Sequence, residues 1–430
     1  MNNPSRTPRV SLFTHHSSLV THRSSLITRH SSLTTPRSSL VTPHSSLFTR
    51  HSSLLLALCL IASASAACRR QHPLHPYAAY VVNHDSGTLA VVNLAAFHVT
   101  AALQVAPQPE RVLARPHARQ LYVVSAPGKI SVASYPRLRL VATLAVGRSA
   151  AGLEFAQDGR SAYLLDPADH EVVFLDCADR PGDSPENAVP RVVYRLRLAG
   201  VLSGLALSSD GRTLVAATHA PNLITFISTA TRQPLGSVEV GEGAGPMVIL
   251  PDNSKVFVAD TGEEKISAAS LPTRQLFAHI EIGTRPTALL LKPDGGEIFA
   301  LAAQSSTLII LDAFHDNVEQ TFPLGRNAVA GVFRGDMSVL YIANAGDGSV
   351  TALDVQHREV LASTRVGVEP RALALTPDER LLVVADRAAS SLAILEADPA
   401  SLSNDRSVLL TTVPVGASPV DVVVPDDLQP

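Results

Sequence analysis

Residues 283–324 read GTRPTALLLKPDGGEIFALAAQSSTLIILDAFHDNVEQTFPL, and a unit of this length recurs along the chain. Four glycines stand 42 residues apart, and an aspartate follows each of them after eleven residues. The pairs are Gly241 and Asp252, Gly283 and Asp294, Gly325 and Asp336, and Gly367 and Asp378. Two series that keep the same spacing indicate an internal structural repeat.

Within one unit, turn residues separate four short apolar runs. In the unit that begins at Gly283, the runs cover residues 287–291, 297–301, 307–311 and 318–322. Pro293, Asp294 and Gly295 supply turn chemistry between the first two. Short runs that contain β-branched or aromatic side chains and end at such residues are typical of strands. Each unit is therefore predicted to form a four-stranded antiparallel sheet, and the chain belongs to the all-β class.

Four strands in about 42 residues is the spacing of a β-propeller blade. Second strands are predicted at eight places, namely Tyr80, Tyr122, Tyr163, Val215, Phe257, Phe299, Tyr341 and Val383. The sequence predicts eight blades, with seven as the alternative if one copy is degenerate. The repeat starts on a second strand at residues 79–82 and finishes on a first strand at 420–424. We therefore expect the C-terminal strand to pair with the N-terminal blade and close the ring.

The propeller is expected over residues 78–427, after three segments of different character. Residues 1–53 repeat Ser-Ser-Leu every seven residues, with His and Arg between the copies. Adjacent apolar positions give no coiled-coil seam, so this segment is predicted to be disordered low-complexity sequence. Initiation near Val41 or Leu47 would make the upstream copies non-native. Residues 69–77 are expected to be a linker.

Residues 54–68 have the features of an export signal. The apolar run at 54–61 is too short to span a bilayer, and small residues with Ala-Ser-Ala cleavage options follow it. Ser65-Ala66-Ala67-Cys68 is similar to a bacterial lipobox, so Cys68 is the candidate lipidation site, with simple cleavage as the alternative. The protein is expected to be exported, as a periplasmic protein, an outer-membrane lipoprotein or an extracellular protein.

Net charge and cysteine content limit the classes of partner and cofactor that the protein can be expected to bind. The net charge is -3, but residues 1–70 hold eight Arg and no acid, so the rest of the chain carries 27 basic against 38 acidic side chains. An acidic body repels phosphate backbones, so no nucleic-acid partner is expected. Membrane contact is expected only through a lipid on Cys68, and the protein is predicted to be a monomer. Because the three cysteines form no Cys-x-x-Cys-His motif or zinc-type cluster, no haem is predicted and the cofactor is open.

The second-strand segments allow a comparison with a known family. Examples are Tyr80-Val-Val-Asn83, Tyr122-Val-Val-Ser125, Tyr341-Ile-Ala-Asn344 and Phe257-Val-Ala-Asp260. With the Val-Gly-x-x-Pro motif at 366–370 and 415–419 and the Pro-Asp-Gly turns, they resemble the bacterial YVTN-type β-propeller repeat family, in the lactonase-like propeller superfamily. The resemblance covers about residues 77–427 and implies a secreted or surface protein. Families with similar repeats include lactonases and haem-bearing reductases.

Five arginines form the first candidate site. They lie in or beside the predicted connections from a fourth strand to the next first strand, at Arg111, Arg148, Arg285, Arg326 and Arg371. In a propeller these connections and the second-to-third loops share one face, around the channel mouth. Converging guanidinium groups would bind a carboxylate or phosphate group. The alternative is that each arginine pairs locally with an acid such as Glu110 or Glu369.

Asp166, Asp169 and His170 form the densest polar cluster in a second-to-third loop. Carboxylates beside an imidazole suit metal binding or proton transfer, and the alternative is an aspartate-stabilised turn. No catalytic residue is assigned, because no nucleophile motif is present. The sequence predicts a non-enzymatic module that binds a protein or a small anionic ligand at the cell envelope. The alternative function is a lactonase-type hydrolase with a divalent cation in the channel.

Overall fold

The computed structural model describes residues 77–179, 184–397 and 409–426, all of which fall within the unit His72–Pro430. The predictions for the low-complexity repeat, the export signal, the linker before residue 77 and Cys68 concern residues outside this part. In the described part, the only helical segment is a 3₁₀ turn at Pro185–Asn187. No described helix is long and apolar enough to cross a membrane.

The described residues form 32 strands in eight four-stranded antiparallel sheets. The first strands of the blades are β4 (Pro109–Ala114), β8 (Ala151–Phe155), β12 (Val201–Leu207), β16 (Ala244–Ile249), β20 (Ala288–Leu291), β24 (Ala328–Phe333), β28 (Pro370–Leu375) and β32 (Pro419–Val423). The second strands are β1 (Ala78–Asn83), β5 (Gln120–Ser125), β9 (Ser161–Asp166), β13 (Thr213–His219), β17 (Lys255–Asp260), β21 (Glu297–Ala302), β25 (Val339–Asn344) and β29 (Leu381–Asp386).

The third strands are β2 (Thr88–Asn93), β6 (Lys129–Ser134), β10 (Glu171–Asp176), β14 (Leu223–Ser228), β18 (Lys265–Ser270), β22 (Thr307–Asp312), β26 (Ser349–Asp354) and β30 (Ser391–Glu396). The fourth strands are β3 (His98–Gln104), β7 (Arg139–Ala145), β11 (Arg191–Arg197), β15 (Pro234–Glu239), β19 (Leu276–Glu281), β23 (Asn317–Pro323), β27 (Glu359–Arg365) and β31 (Leu409–Pro414). Blade 1 combines β32 with β1, β2 and β3, and blades 2 to 8 follow in chain order. The prediction of eight blades is confirmed.

The C-terminal strand closes the ring, as predicted. β32 pairs with β1 in antiparallel register, with Val81 opposite Val422. Beyond the strands, the amide of His84 donates to the carbonyl of Ser418 at 2.8 Å. The amide of Ala417 donates to Ser86 Oγ at 2.6 Å. Because the two chain ends share one sheet, blade 1 has no free inner edge.

Burial follows strand position within a blade. Every residue of β5, β25 and β29 is buried, whereas fourth strands such as β11 alternate between exposed and covered side chains. The apolar clusters extend across neighbouring blades, as where Phe257 and Ile266 of blade 5 pack with Ile298 and Ile309 of blade 6. A second strand buries both of its faces, which explains its nearly continuous apolar sequence.

In five blades, the repeated glycine leaves space for the polar residue that ends the second strand. A Cβ on Gly147 would lie 1.8 Å from Asp166 Oδ2, and one on Gly367 would lie 1.5 Å from Asp386 Oδ2. Glycine faces all five residues of Asp or Asn type at this position, Asp166, Asp260, Asn344, Asp386 and Asn83. In two other blades, Ala106 and Ala199 occupy the glycine position, and the equivalent second-strand residues are the smaller Ser125 and Thr218. In blade 6, Gly283 is matched by Ala302. The glycine spacing therefore reflects packing against a buried polar side chain.

Candidate functional site

The first strands are innermost in the ring, and most neighbouring first strands pack on one another, as β32 does on β4, whereas β4 and β8 are further apart. Five positions after the repeat glycine or alanine, six blades carry a small or compact uncharged residue. These are Gly152, Gly204, Pro246, Ala288, Ala330 and Ala372. The two exceptions are Arg111 in blade 2 and Asp421 in blade 1, which are adjacent blades. Glu154 on β8 of blade 3 adds a third charged residue beside them. The inner wall is thus charged along three neighbouring strands.

Arg111 is the centre of this group. Its side chain is exposed, and its charge acts on both Asp421 and Glu154, on the strands to either side. A side chain on β4 that lies near groups of both neighbouring first strands faces the channel. Arg111 forms no ion pair with any described residue, where an ion pair means nitrogen and oxygen within 4.0 Å. Its guanidinium donors are therefore not occupied by a carboxylate of the described chain.

Asp421 is fixed by backbone groups. Its Oδ2 accepts a hydrogen bond of 2.9 Å from the amide of Val112, on the next blade, and its Oδ1 accepts one of 3.0 Å from the amide of Val422. Burial raises the pKa of Asp421, and the Val112 amide and Arg111 oppose that effect only in part. The carboxyl group thus joins blades 1 and 2 at the inner wall and takes up a proton more readily than an exposed aspartate.

Glu154 differs from Asp421 because its carboxyl group has no described hydrogen-bond partner. Burial raises its pKa, and the positive charge of Arg111 opposes the shift. The two carboxyl groups and the guanidinium form what we call the channel cluster: Arg111, Glu154 and Asp421. Such a cluster offers donors for a carboxylate on Arg111 and acceptors for an amine or hydroxyl group on the two acids.

The other four predicted arginines behave differently from one another. Arg148 pairs with Asp169 and donates to the carbonyl of Ala168. Arg326 Nε donates to Asp347 Oδ1 at 2.6 Å, and Arg371 donates to Glu369 Oε1 at 2.6 Å. Arg285 is exposed and forms no ion pair within the described residues. Local pairing therefore engages three of the five arginines, and Arg111 and Arg285 remain available to a ligand.

Asp166, Asp169 and His170 have separate partners. Asp166 is buried, and its carboxylate accepts bonds from Ser149 Oγ at 2.8 Å and from the Arg148 and Ser149 amides at 3.0 and 3.1 Å. Asp169 pairs with Arg148, and His170 Nδ1 lies 2.6 Å from the carbonyl of Gly200. Within the described ranges, no group of three or more His, Cys, Asp or Glu side chains is arranged to hold a metal ion. The geometry of these residues is that of a stabilised turn.

Glu154 and Asp421 were not identified from the sequence. Each lies in a mostly apolar run that was interpreted only as a strand. The available signal was the alignment of the eight first strands on their repeat glycines, in which Asp421 replaces a small residue. Arg111 was identified, but its carboxyl neighbours come from strands about 40 and about 310 residues away in the sequence, and ring closure is needed to bring Asp421 to it.

Cavities lie between blades on the opposite face of the ring, at the first-to-second turns of the described residues. One of about 410 Å³ is lined by residues that include Asp158, Tyr163 and Asp210. One of about 450 Å³ includes Lys292, Glu297 and Arg358, and one of about 250 Å³ lies at Arg115 and Asp158. In two of them, ion pairs join charged lining residues, Arg358 with Glu297 and Arg115 with Asp179. Asp158 and Asp210 of the first cavity form no ion pair within the described residues.

Comparisons with known proteins agree with the fold. The family model described as "Lactonase, 7-bladed beta-propeller" matches residues 246–407, which begin in β16 and extend beyond β30. This match covers less than half of the chain, and with the propeller fold it is consistent with a lactonase-like propeller superfamily. The present structure has eight blades rather than the seven of that family's description. No curated protein matches the sequence at a significant level.

Three solved structures are similar in fold. The dihydro-heme d1 dehydrogenase NirN aligns with a TM-score of 0.65 and 15% identity over 83% of this chain and 77% of its own. The C-terminal WD40 domain of Sif2 aligns with a TM-score of 0.56 and 14% identity over 74% and 87%. A functionally unknown protein from Desulfotomaculum acetoxidans DSM 771 aligns with a TM-score of 0.55 and 14% identity over 71% and 99%. At these identities the similarity establishes the propeller fold and no activity.

Proposed function

We propose that the protein is an exported, non-enzymatic propeller that binds a small anionic ligand in its channel at the cell envelope. The observation that carries the proposal is Arg111, an arginine on an innermost strand without an ion-pair partner in the described chain. The signal-like sequence at residues 54–68 supports export. A small ligand is favoured over a protein surface because Arg111 lies among first strands that line the channel.

The electrostatics of the ring support this choice. The chain after residue 70 is acidic, so an unpaired guanidinium is a local exception that attracts a small anion. Arginine binds carboxylate and phosphate groups through two parallel hydrogen bonds, which are stronger in a partly desolvated channel than on an open surface. Arg285, exposed on the face of the fourth-to-first connections, adds positive charge near the entrance.

The proposal is tested by thermal unfolding with a panel of small carboxylates and phosphates. The variants are Arg111→Gln and, as matched control, Arg148→Gln, which removes an arginine that already pairs with Asp169. At one hundred times Kd, a ligand is expected to stabilise the folded protein by about 2.7 kcal/mol. We expect Tm to rise for the wild type and for Arg148→Gln but not for Arg111→Gln. The proposal fails if no anion raises Tm, or if Arg111→Gln responds like the wild type.

The second candidate is a lactonase-type hydrolase with a divalent cation, which the family match over residues 246–407 favours. The described residues contain no group of three or more His, Cys, Asp or Glu side chains arranged to hold a metal ion, so such a site would need other ligands as well. The test is hydrolysis of aldonolactones and other lactones with and without Ca²⁺ or Mn²⁺. Hydrolysis that requires the metal and is abolished by a chelator would favour the hydrolase over the binding protein.

A further inference from the structure

We infer that the ligand of the channel cluster is a small zwitterion, with a carboxylate on Arg111 and a protonated amine facing Glu154 and Asp421. This inference rests on the proposed function and specifies its ligand. A simple anion would use only the guanidinium, whereas a zwitterion complements all three charged groups.

Opposite charges lie close together in the cluster without contact. Arg111 acts electrostatically on both carboxyl groups, yet no nitrogen–oxygen pair reaches ion-pair distance. Asp421 is held away from Arg111 because both of its oxygens accept backbone amides, from Val112 and Val422. The separation is therefore built into the backbone of two blades, and polar groups of a third molecule can bridge it.

The first strand of blade 3 carries a glycine where blade 2 has Arg111. Gly152 therefore brings no side chain to the wall beside the arginine. Gly204, at the same position in blade 4, is closely packed, since a Cβ there would lie 2.3 Å from the carbonyl oxygen of Gly245. Glu154, which has no described hydrogen-bond partner, is the acceptor most in need of a ligand donor.

The charge balance selects between ligand classes. The cluster has one cation and two acids, so a dicarboxylate would bring its second negative charge towards Glu154 or Asp421. An ammonium group there would instead be attracted, and it would favour the ionised form of both acids. Because burial raises the pKa of these acids, a zwitterion is expected to release protons on binding, whereas a simple anion is expected to cause proton uptake.

The test is isothermal titration calorimetry on the full chain with matched probes. The probes are alanine with propionate, and 4-aminobutyrate with butyrate, so each pair differs in the amine alone. Titrations in buffers of different ionisation enthalpy give the sign of the proton exchange. We expect one zwitterion to bind at least about tenfold more tightly than its partner carboxylate and to release protons.

Variants assign the effect to residues. Glu154→Gln keeps the size of the side chain and is expected to weaken zwitterion binding about tenfold, whereas carboxylate binding is expected to tighten because a negative charge near Arg111 is removed. Arg111→Gln is expected to remove both. Glu264→Gln, on the same face and without an ion pair in the described chain, is the control and should change neither. A thermal scan of each variant verifies folding, and Glu154→Asp serves if Glu154→Gln does not fold.

The possible results distinguish failure of the inference from failure of the proposed function. If carboxylates bind as tightly as their zwitterions and Glu154→Gln has no effect, the zwitterion inference is overturned and the anion-binding proposal stands. If neither class binds, both are overturned. Proton uptake on binding of the zwitterion would also contradict the inference.

Discussion

Blades 3 and 5 end their second strands with the same residue in the same place, and its environment differs. Asp166 closes β9, Asp260 closes β17, and both are fully buried beside a repeat glycine. Asp166 accepts four hydrogen bonds, from Ser149 Oγ and from the amides of residues 148, 149 and 169. Asp260 Oδ2 accepts one from Ser267 Oγ at 2.7 Å, and its Oδ1 has no partner among the described residues.

The connecting loop decides the ionisation of these carboxyl groups. Burial raises the pKa of Asp166, but the bonds from Ser149 and the amides of residues 148 and 169 outweigh it, so that its pKa falls below the usual range. Burial also raises the pKa of Asp260, to about 6, because Ser267 opposes it only in part. The loop of blade 3 contains Arg148 and Ser149, whereas that of blade 5 contains Glu242 and Gly243. One serine with well-placed amides thus separates a stable anion from an acid that titrates near neutrality.

The largest effect is expected from a methyl group on the blade 3 glycine. In Gly147→Ala the new Cβ would overlap Asp166 Oδ2, and moving this carboxylate would break several of its hydrogen bonds. We expect a loss of about 4 kcal/mol in the free energy of unfolding, from overpacking and from lost bonds to a buried anion. Urea unfolding of the wild type and of Gly147→Ala measures this difference in the free energy of unfolding.

Blade 5 supplies the control for that prediction. A Cβ on Gly241 would lie 2.5 Å from Asp260 Cγ, and Asp260 has one side-chain bond to lose. Gly241→Ala should therefore cost less than Gly147→Ala. Equal losses in the two blades would show that the loop hydrogen bonds contribute little.

A smaller effect is expected in the pH dependence of stability. Asp260 has a pKa of about 6 when folded, against 3.8 for an exposed aspartate, so the folded protein binds the proton more tightly than the unfolded chain does. This contribution to stability is fully present below about pH 4 and is lost as the pH rises through 6. A shift of this size corresponds to about 3 kcal/mol. In Asp260→Asn, we expect that pH-dependent loss to disappear from urea unfolding curves between pH 4 and 8.

Two features of the chain make this variant informative. Blade 7 already has an asparagine at the equivalent position, where Asn344 Nδ2 donates to Thr351 Oγ1 at 2.8 Å, so the site accommodates an amide. Asp166→Asn is the comparison, and the pH dependence of stability that it removes has the opposite sign. Because the pKa of Asp166 is lowered, its contribution is present above the unfolded value and is lost as the pH falls. Parallel pH profiles for the wild type and Asp260→Asn would refute the assignment.

The same contrast shows which features a sequence of this kind can predict. Blade number, strand positions and ring closure follow from glycine spacing and turn residues, which act locally: the predicted runs 297–301 and 307–311 became β21 and β22. The hydrogen bonds of Asp166 were harder to predict from the sequence, because the Ser149 hydroxyl that donates to it comes from another loop. The channel cluster was harder to predict, since Asp421 lies beside β4 only after β32 pairs with β1. Contacts across blades depend on the packing angle of whole sheets, which the repeat does not encode.

The smallest effect is expected at His279, an exposed residue that is connected to the buried Asp260 through Ser267. Ser267 Oγ lies 2.9 Å from His279 Nδ1 while donating to Asp260, and the amide of Gly241 donates to Ser267 at 3.3 Å. For Ser267 to donate to the ionised Asp260, His279 must donate to Ser267, so the imidazole supports the anion through the hydroxyl group. Blade 3 has Val173 and Arg195 at the equivalent paired positions and so lacks this chain.

Removing the imidazole should therefore raise the pKa of Asp260 by a small amount. The exposed end of a hydrogen-bond chain contributes less than about 1 kcal/mol. NMR titration of the Asp260 carboxyl carbon in His279→Ala measures the change, with His98→Ala on the outer strand of blade 1 as control. An unchanged or lowered Asp260 midpoint in His279→Ala would mean that Ser267 donates to the imidazole, and that the buried acid is supported by the Gly241 loop alone.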